Sequence, residues 1–123
     1  MSQDLVADTL NMIMNAKRAG KSDLETNRYS KFLIKVLEVA KKHKYLDFKL
    51  ENKKLKIKIL ELNNCQAIKP RFEVSVSELD KYIKRFLPAR NFGIIIISTT
   101  SGLLTHEEAF QKNTGGSLIA YFY

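Results

Sequence analysis

The 123-residue chain reads as an α+β protein of two small lobes, a helix-helix-hairpin lobe over 1–62 and a strand-rich lobe over 63–123. Three observations predict this. Two stretches with apolar residues at helical spacing open the chain, and two alternating stretches follow them. Asn63-Asn64 then marks a break. Beyond it, four consecutive isoleucines at 94–97 announce a fully buried strand among short, turn-bounded segments.

The first helix is expected over 3–19, with Val6, Leu10, Ile13 and Met14 on one face, Ser2 as cap and Gly20 as stop. The polar residues 24–28 read as a loop. A second helix runs from about Ser30 to Lys44, turning Phe32, Leu33, Val36, Leu37 and Ala40 inward. Leu46, Phe48 and Leu50 alternate, Asn52-Lys53 turns the chain, and Leu55, Ile57 and Ile59 resume the alternation with Lys54, Lys56 and Lys58 opposite. Leu60 and Leu62 then break the phase, as at a bulge or a strand end.

In the second lobe, 65–69 and 72–76 are short strands, interrupted by Pro70 and so placed at a sheet edge. Ser77-x-x-Asp80 resembles a capping box before a helix with Leu79, Tyr82, Ile83 and Phe86 inward, ended by Pro88. A strand follows at 93–98. Thr105-x-x-Glu108 caps one or two helical turns, and Gly115-Gly116 leads into a closing strand at 117–123.

Lys and Arg number 21 against 13 Asp and Glu, a net charge of +8, which favours a polyanionic partner, nucleic acid or an acidic membrane surface. The excess is uneven. Residues 1–62 hold 14 basic and 8 acidic side chains, and 63–123 hold 7 and 5. The densest run is 41–58, where eight lysines face only Asp47 and Glu51. Lysines that merely keep a surface soluble are the alternative reading for any one of them. Single Cys65 excludes an internal disulfide and a cysteine-rich zinc site, and points to a reducing compartment. No apolar run approaches the roughly 18 residues of a spanning helix. Residues 1–19 show no cleavage pattern of a signal peptide, so an intracellular, cytoplasmic protein is expected.

Catalytic motifs find little support. His106-Glu107-Glu108 would need a second histidine at position 110, which is Phe110, and His43 is the only other histidine. No phosphate-cradling Gly-Lys-Ser/Thr loop or dinucleotide fingerprint occurs. Asn64 and Gln66 beside Cys65 do nothing to lower a thiol pKa. No enzyme, no cofactor and no metal are expected.

The stretch that stands out is Ser98-Thr99-Thr100-Ser101-Gly102, four hydroxyls between a buried strand and a helix cap. Hydroxyls, free amides and a glycine can grip sugars, phosphates or an unstacked base without net charge. An ordinary strand-to-helix connection fits the same spacing equally well. Gly115-Gly116-Ser117 is a second backbone-rich turn.

The chain resembles small-subunit ribosomal protein eight in its archaeal and eukaryotic form, over nearly its whole length. The resemblance is carried by 4–8 with Asn15-Ala16, by Ser30-Lys31 before Val36-Leu37, and by five later blocks: 67–72, 87–93, 98–102, 105–109, and Gly115-Gly116 before Ala120-Tyr121. It implies a two-lobe protein of the small ribosomal subunit that binds the central domain of the rRNA early in assembly, beside neighbouring ribosomal proteins. In that family the Ser-Thr segment holds an irregular internal loop of an RNA helix. Carried over, Ser98, Thr99, Thr100, Ser101 and Gly102 read RNA with Gly115 and Gly116 in support. Lys31, next to Ser30, meets phosphate, and Lys69 and Arg71 lie near RNA. Bacterial members often carry Glu after the paired glycines; this chain has Ser117, so no carboxylate contact is carried across. Some members also bind their own mRNA. The competing readings are a non-ribosomal RNA-binding or translational regulatory module of the same fold and, last, a small hydrolase using His106.

Overall fold

The computed structural model describes residues 5–69, 71–89 and 92–123; the expectations at Ser2, Asp4, Pro70, Arg90 and Asn91 lie outside them. The protein is mixed α+β, and its internal contacts divide it into two compact units, Met1–Cys65 and Gln66–Tyr123. Among the described residues no helix is long and apolar enough to cross a membrane.

In the first unit, α1 (Leu5–Arg18) buries Val6, Leu10, Ile13 and Met14. Gly20 ends it with φ +78°, its N–H donating to Lys17 O while that of Lys21 reaches back to Ala16 O. Residues 24–26 of the loop expected over 24–28 belong instead to β1 (Asp23–Thr26), which carries one apolar side chain, Leu24. One such residue is too little period to read from sequence; the strand exists because its backbone pairs with a neighbour. Helix α2 (Lys31–Lys42) is capped by Ser30, whose Oγ accepts from Leu33 N–H at 3.1 Å, and buries Leu33, Val36, Leu37 and Ala40. β2 (Leu46–Glu51) and β3 (Lys54–Ile59) form the expected hairpin. Asn52 and Lys53 both take positive φ in its two-residue turn, the twist that lets strands pair tightly. The sheet order is β1-β3-β2, all antiparallel. β3 stops at Ile59, so the phase slip at Leu60 is a strand end, with Leu60 exposed and Leu62 buried.

The second sheet runs β4-β8-β6-β7, from β4 (Cys65–Ala67), β6 (Ile94–Thr99), β7 (Gly102–Thr105) and β8 (Gly116–Phe122). β5 (Glu73–Val74) also pairs with β8. The β6–β8 ladder is offset between Ile96 and Ile97, and this bulge brings Tyr121 and Leu118 to pack with Ile95 and Ile97 in one core. Leu79 and Ile83 of α3 (Leu79–Phe86) complete that core. The capping box lies two residues earlier than the sequence suggests. Glu78, not Asp80, reaches back to accept from Ser75 N–H at 3.1 Å and Ser75 Oγ at 3.0 Å, and a 3₁₀ turn over Val76–Glu78 precedes the helix. The second box stands where expected. Thr105 caps α4 (His106–Lys112), its Oγ1 accepting from Glu108 N–H while its own N–H donates to Glu108 Oε1.

Candidate nucleic-acid interface

The hydroxyl-rich segment is neither a loose loop nor a strand-to-helix connection; it is a β-hairpin. Ser98 and Thr99 close β6, Thr100 and Ser101 turn, and Gly102 opens β7 opposite Thr99. Gly102 has φ +102°, which an L side chain avoids, although nothing lies within 4 Å of where its Cβ would stand. Its demand is therefore conformational. The Thr99 hydroxyl is spent on the turn, donating to Gly102 O at 2.8 Å and accepting from Ser101 N–H at 3.0 Å. Ser98, Thr100 and Ser101 make no side-chain hydrogen bond among the described residues, and Thr100 and Ser101 are exposed. The hairpin thus offers three hydroxyls, held in place by a fourth.

Gly115 and Gly116 support this end of the sheet by steric necessity. A Cβ on Gly115 would stand 2.3 Å from Val74 O, and one on Gly116 would stand 2.2 Å from Ser98 O. The paired glycines let β8 slide between β5 and β6. The register then sets Glu73, Ser117, Ser98 and Leu103 in a row across four strands. Sequence spacing could not place Glu73 there, because β5 is two residues long and its pairing is non-local. A carboxylate therefore stands beside the hydroxyls, supplied by β5 and not by β8. The segment carrying Lys69 and Arg71 follows the same edge of β8: Ile68 N–H donates to Ile119 O, and Leu118 N–H to Phe72 O. Both side chains are exposed. The second unit thus brings together seven of the eleven residues singled out, Ser98 to Gly102 with Gly115 and Gly116, and lines Lys69 and Arg71 along one edge.

Ser30 and Lys31 belong to the other unit. Ser30 is occupied as the cap of α2. Lys31 is exposed at the helix start, and Lys35 and Lys42 continue its stripe with Glu38 among them. Tyr29, Ile34 and Leu50 line an open groove beside Lys31 and Lys35, with Leu50 48% exposed. Lys35 was legible from its i+4 spacing to Lys31.

The lysine-rich hairpin face reads differently in three dimensions. Asp23 and Asp47 flank Lys58 in the ladder, Glu25 and Lys49 flank Lys56, and Glu51 faces Lys54. Four lysines meet four carboxylates on one face. Lys56 Nζ lies 4.0 Å from Glu25 and 3.6 Å from Glu51, and Lys41 Nζ lies 3.1 Å from Asp47. Lys41, with the N–H of Phe48, holds the Asp47 carboxyl below its ordinary range. The face is neutral as a whole.

Cys65 and His106 are both buried. Burial pushes the Cys65 thiol up to about 12, and its Sγ lies 3.8 Å from Leu10 O. His106 is 2% exposed and opens α4, its Nδ1 accepting from Ile95 N–H at 3.2 Å.

Comparison with known proteins bears on this geometry. The sequence profile of the family Ribosomal protein S8 matches residues 4–123. The small ribosomal subunit protein uS8 of Nanoarchaeum equitans is 43% identical across the whole of both chains. That of Thermoplasma acidophilum is 40% identical, again across both chains. That of Neurospora crassa is 39% identical over 94% of each.

Proposed function

Because the chain belongs to the Ribosomal protein S8 family, we propose that it is a structural component of the small ribosomal subunit that binds the central domain of the rRNA and supports its assembly. The observation that carries the reading is the glycine-backed hairpin, where Ser98, Thr100 and Ser101 stand on a rigid sheet end beside Ser117. A surface of hydroxyls and backbone suits a non-Watson–Crick feature of an RNA helix, since it recognises shape, 2′-OH and base edges without repelling or attracting phosphate strongly. In this reading residues 63–123 are the RNA-reading lobe. Residues 1–62 supply attraction, through Lys31 and Lys35 on α2 more than through the hairpin lysines. Lys69 and Arg71 hold phosphate beside the reading surface. The molecule works on the ribosome in the cytoplasm and carries out no catalysis.

Footprinting on naked small-subunit rRNA tests the reading. One compact protected patch in the central domain is expected, lost in Ser98→Ala/Thr100→Ala, together with co-sedimentation with small subunits through a high-salt wash. Release in the wash, or protection scattered along the RNA, would overturn it in favour of a peripheral regulatory factor. Protection of the chain's own mRNA at a similar structure would add autoregulation to the same site.

A further inference from the structure

The second unit carries an aromatic series that the hydroxyl hairpin does not use. Phe72 and Tyr82 have ring centroids 5.0 Å apart, Tyr82 and Phe86 6.4 Å, and Phe86 and Tyr121 5.4 Å. Tyr121 and Tyr123 follow at 6.0 Å with ring planes nearly parallel, 8° apart, and Tyr123 and Phe92 at 6.2 Å. Tyr121 is buried in the core, Phe72, Tyr82, Phe86 and Tyr123 pack against that core half-buried, and Phe92 at the end of the series is 47% exposed.

The exposed end is held there by the backbone. Phe92 N–H donates to Ala89 O at 3.1 Å. Gly93, at φ +102°, lets the chain pass where a Cβ would lie 2.6 Å from Phe122 O and 2.7 Å from Tyr123 Cβ. A leucine at 92 would fill such a site with less exposed surface; a flat ring has a face to offer. Cations already lie on these faces, Lys81 Nζ 5.8 Å from the Tyr82 centroid and Arg85 Cζ 5.3 Å from that of Phe86. On α3 Lys81, Lys84 and Arg85 stand against Asp80 alone. Serial ring faces flanked by cations fit planar bases strung on an anionic backbone.

We propose that this ladder is a second RNA surface, where an unpaired nucleobase stacks at the Phe92 end while Lys81 and Arg85 attract the phosphates of the same strand. The surface is sequence-tolerant, since every base has a π face, and it goes beyond the hairpin's recognition of one RNA structure. It stands independently of that site and fails independently of it.

The protein has no tryptophan, so Phe92→Trp introduces a unique reporter. Titration of that variant with a short uridine oligomer should quench the indole emission. In the parent background, Phe92→Leu keeps apolar bulk and loses the π face. It should weaken oligomer binding roughly five- to a hundredfold at an unchanged salt slope. Lys81→Gln with Arg85→Gln should lower the log–log salt slope by about 0.7 per lost contact. Thr100→Ala should leave oligomer binding intact, and thermal melts control for folding. Phe92→Leu binding like the parent would overturn the proposal. So would an unresponsive reporter, or cross-links in small subunits that place these rings against another protein.

Discussion

The two sheets of this protein handle polarity in opposite ways. In the three-stranded sheet β1-β3-β2, four of the eight lysines between 41 and 58, Lys49, Lys54, Lys56 and Lys58, share one face with Asp23, Glu25, Asp47 and Glu51, and that face cancels to neutrality. At the end of the β4-β8-β6-β7 sheet there is nearly no charge to cancel. The hairpin there presents hydroxyls, amides and glycines, with Glu73 as the only carboxylate in its row. The difference teaches that a charge count along a chain measures a field only after register has been settled. A net of +6 over residues 1–62 is real as a total, but most of its effective strength sits on helix stripes and not on the hairpin where the lysines are densest.

The harshest way to break the comparison is to remove the glycine that lets the uncharged sheet end close. Gly116→Ala must push its methyl group against the Ser98 carbonyl, so β6 and β8 have to part. A loss of about 2–4 kcal/mol is expected, in urea or thermal melts, with RNA binding lost alongside. Gly102→Ala has open space and only an unfavourable φ; it should cost about 1–2 kcal/mol. Equal effects from the two would mean that the close approach of β8 to β6 does not matter.

Thr99 and Thr100 then separate support from recognition within one hairpin. Thr99→Ala removes two hydrogen bonds of the turn and should lower stability by about 1 kcal/mol, weakening RNA binding through a looser hairpin. Thr100→Ala should leave the melt unchanged and weaken cognate binding roughly five- to thirtyfold, with the salt slope unmoved. If Thr100→Ala binds like the parent, the hairpin is a connector and recognition lies elsewhere.

These assignments also show how far the sequence could be read. Helical spacing located α1, α2 and the Leu79–Ile83 stripe, because each buries several side chains at a fixed local period. Asn52-Lys53, Thr105 with Glu108 and Gly115-Gly116 were legible because turn and cap chemistry is local. Strand β1 was not, since a strand with a single apolar residue, Leu24, owes its existence to backbone pairing with β3. Ser75 was passed over as a cap because Ser77 and Asp80 offered the same spacing two residues later. The hydroxyl segment was found as composition, but its hairpin form depended on Thr99 facing Gly102, a pairing the polar sequence does not advertise. Glu73 needed two non-local ladders before it could be placed next to Ser117 and Ser98.

Salt dependence distinguishes the cancelled face from the open stripe. Lys56→Gln made together with Glu51→Gln deletes a cation and its partner, so RNA binding and its salt slope should hardly change. Lys31→Gln, with no such partner removed, should lower the slope by about 0.7–0.9 if Lys31 meets one phosphate. A large slope change in the paired deletion would restore the hairpin face as a phosphate-binding surface.

The smallest expected effect carries the same contrast into single carboxylates. Asp47, on the charged sheet, is held below its ordinary range by Lys41 first and then by the N–H of Phe48. Glu78, in the other unit, is held down by the N–H and the hydroxyl of Ser75, with no charged group among its nearest partners. Both folded-state values lie below the unfolded ones, so each contribution to stability is fully present above the ordinary carboxylate range. Each is lost as pH falls through the depressed folded value. Salt should act on them unequally, because it screens an exposed ammonium–carboxylate pair far more than a hydrogen bond from a fixed amide. Side-chain carboxyl NMR titrations at low and high salt read this directly. High salt should bring Asp47 part of the way back toward its ordinary value, as should Lys41→Met, while Glu78 keeps its depression in salt and gives up only part of it in Ser75→Ala, which removes the hydroxyl and leaves the N–H. If Glu78 moved with salt as far as Asp47 does, its depression would come from nearby charge such as Lys81, and the second unit would be using the same means as the first.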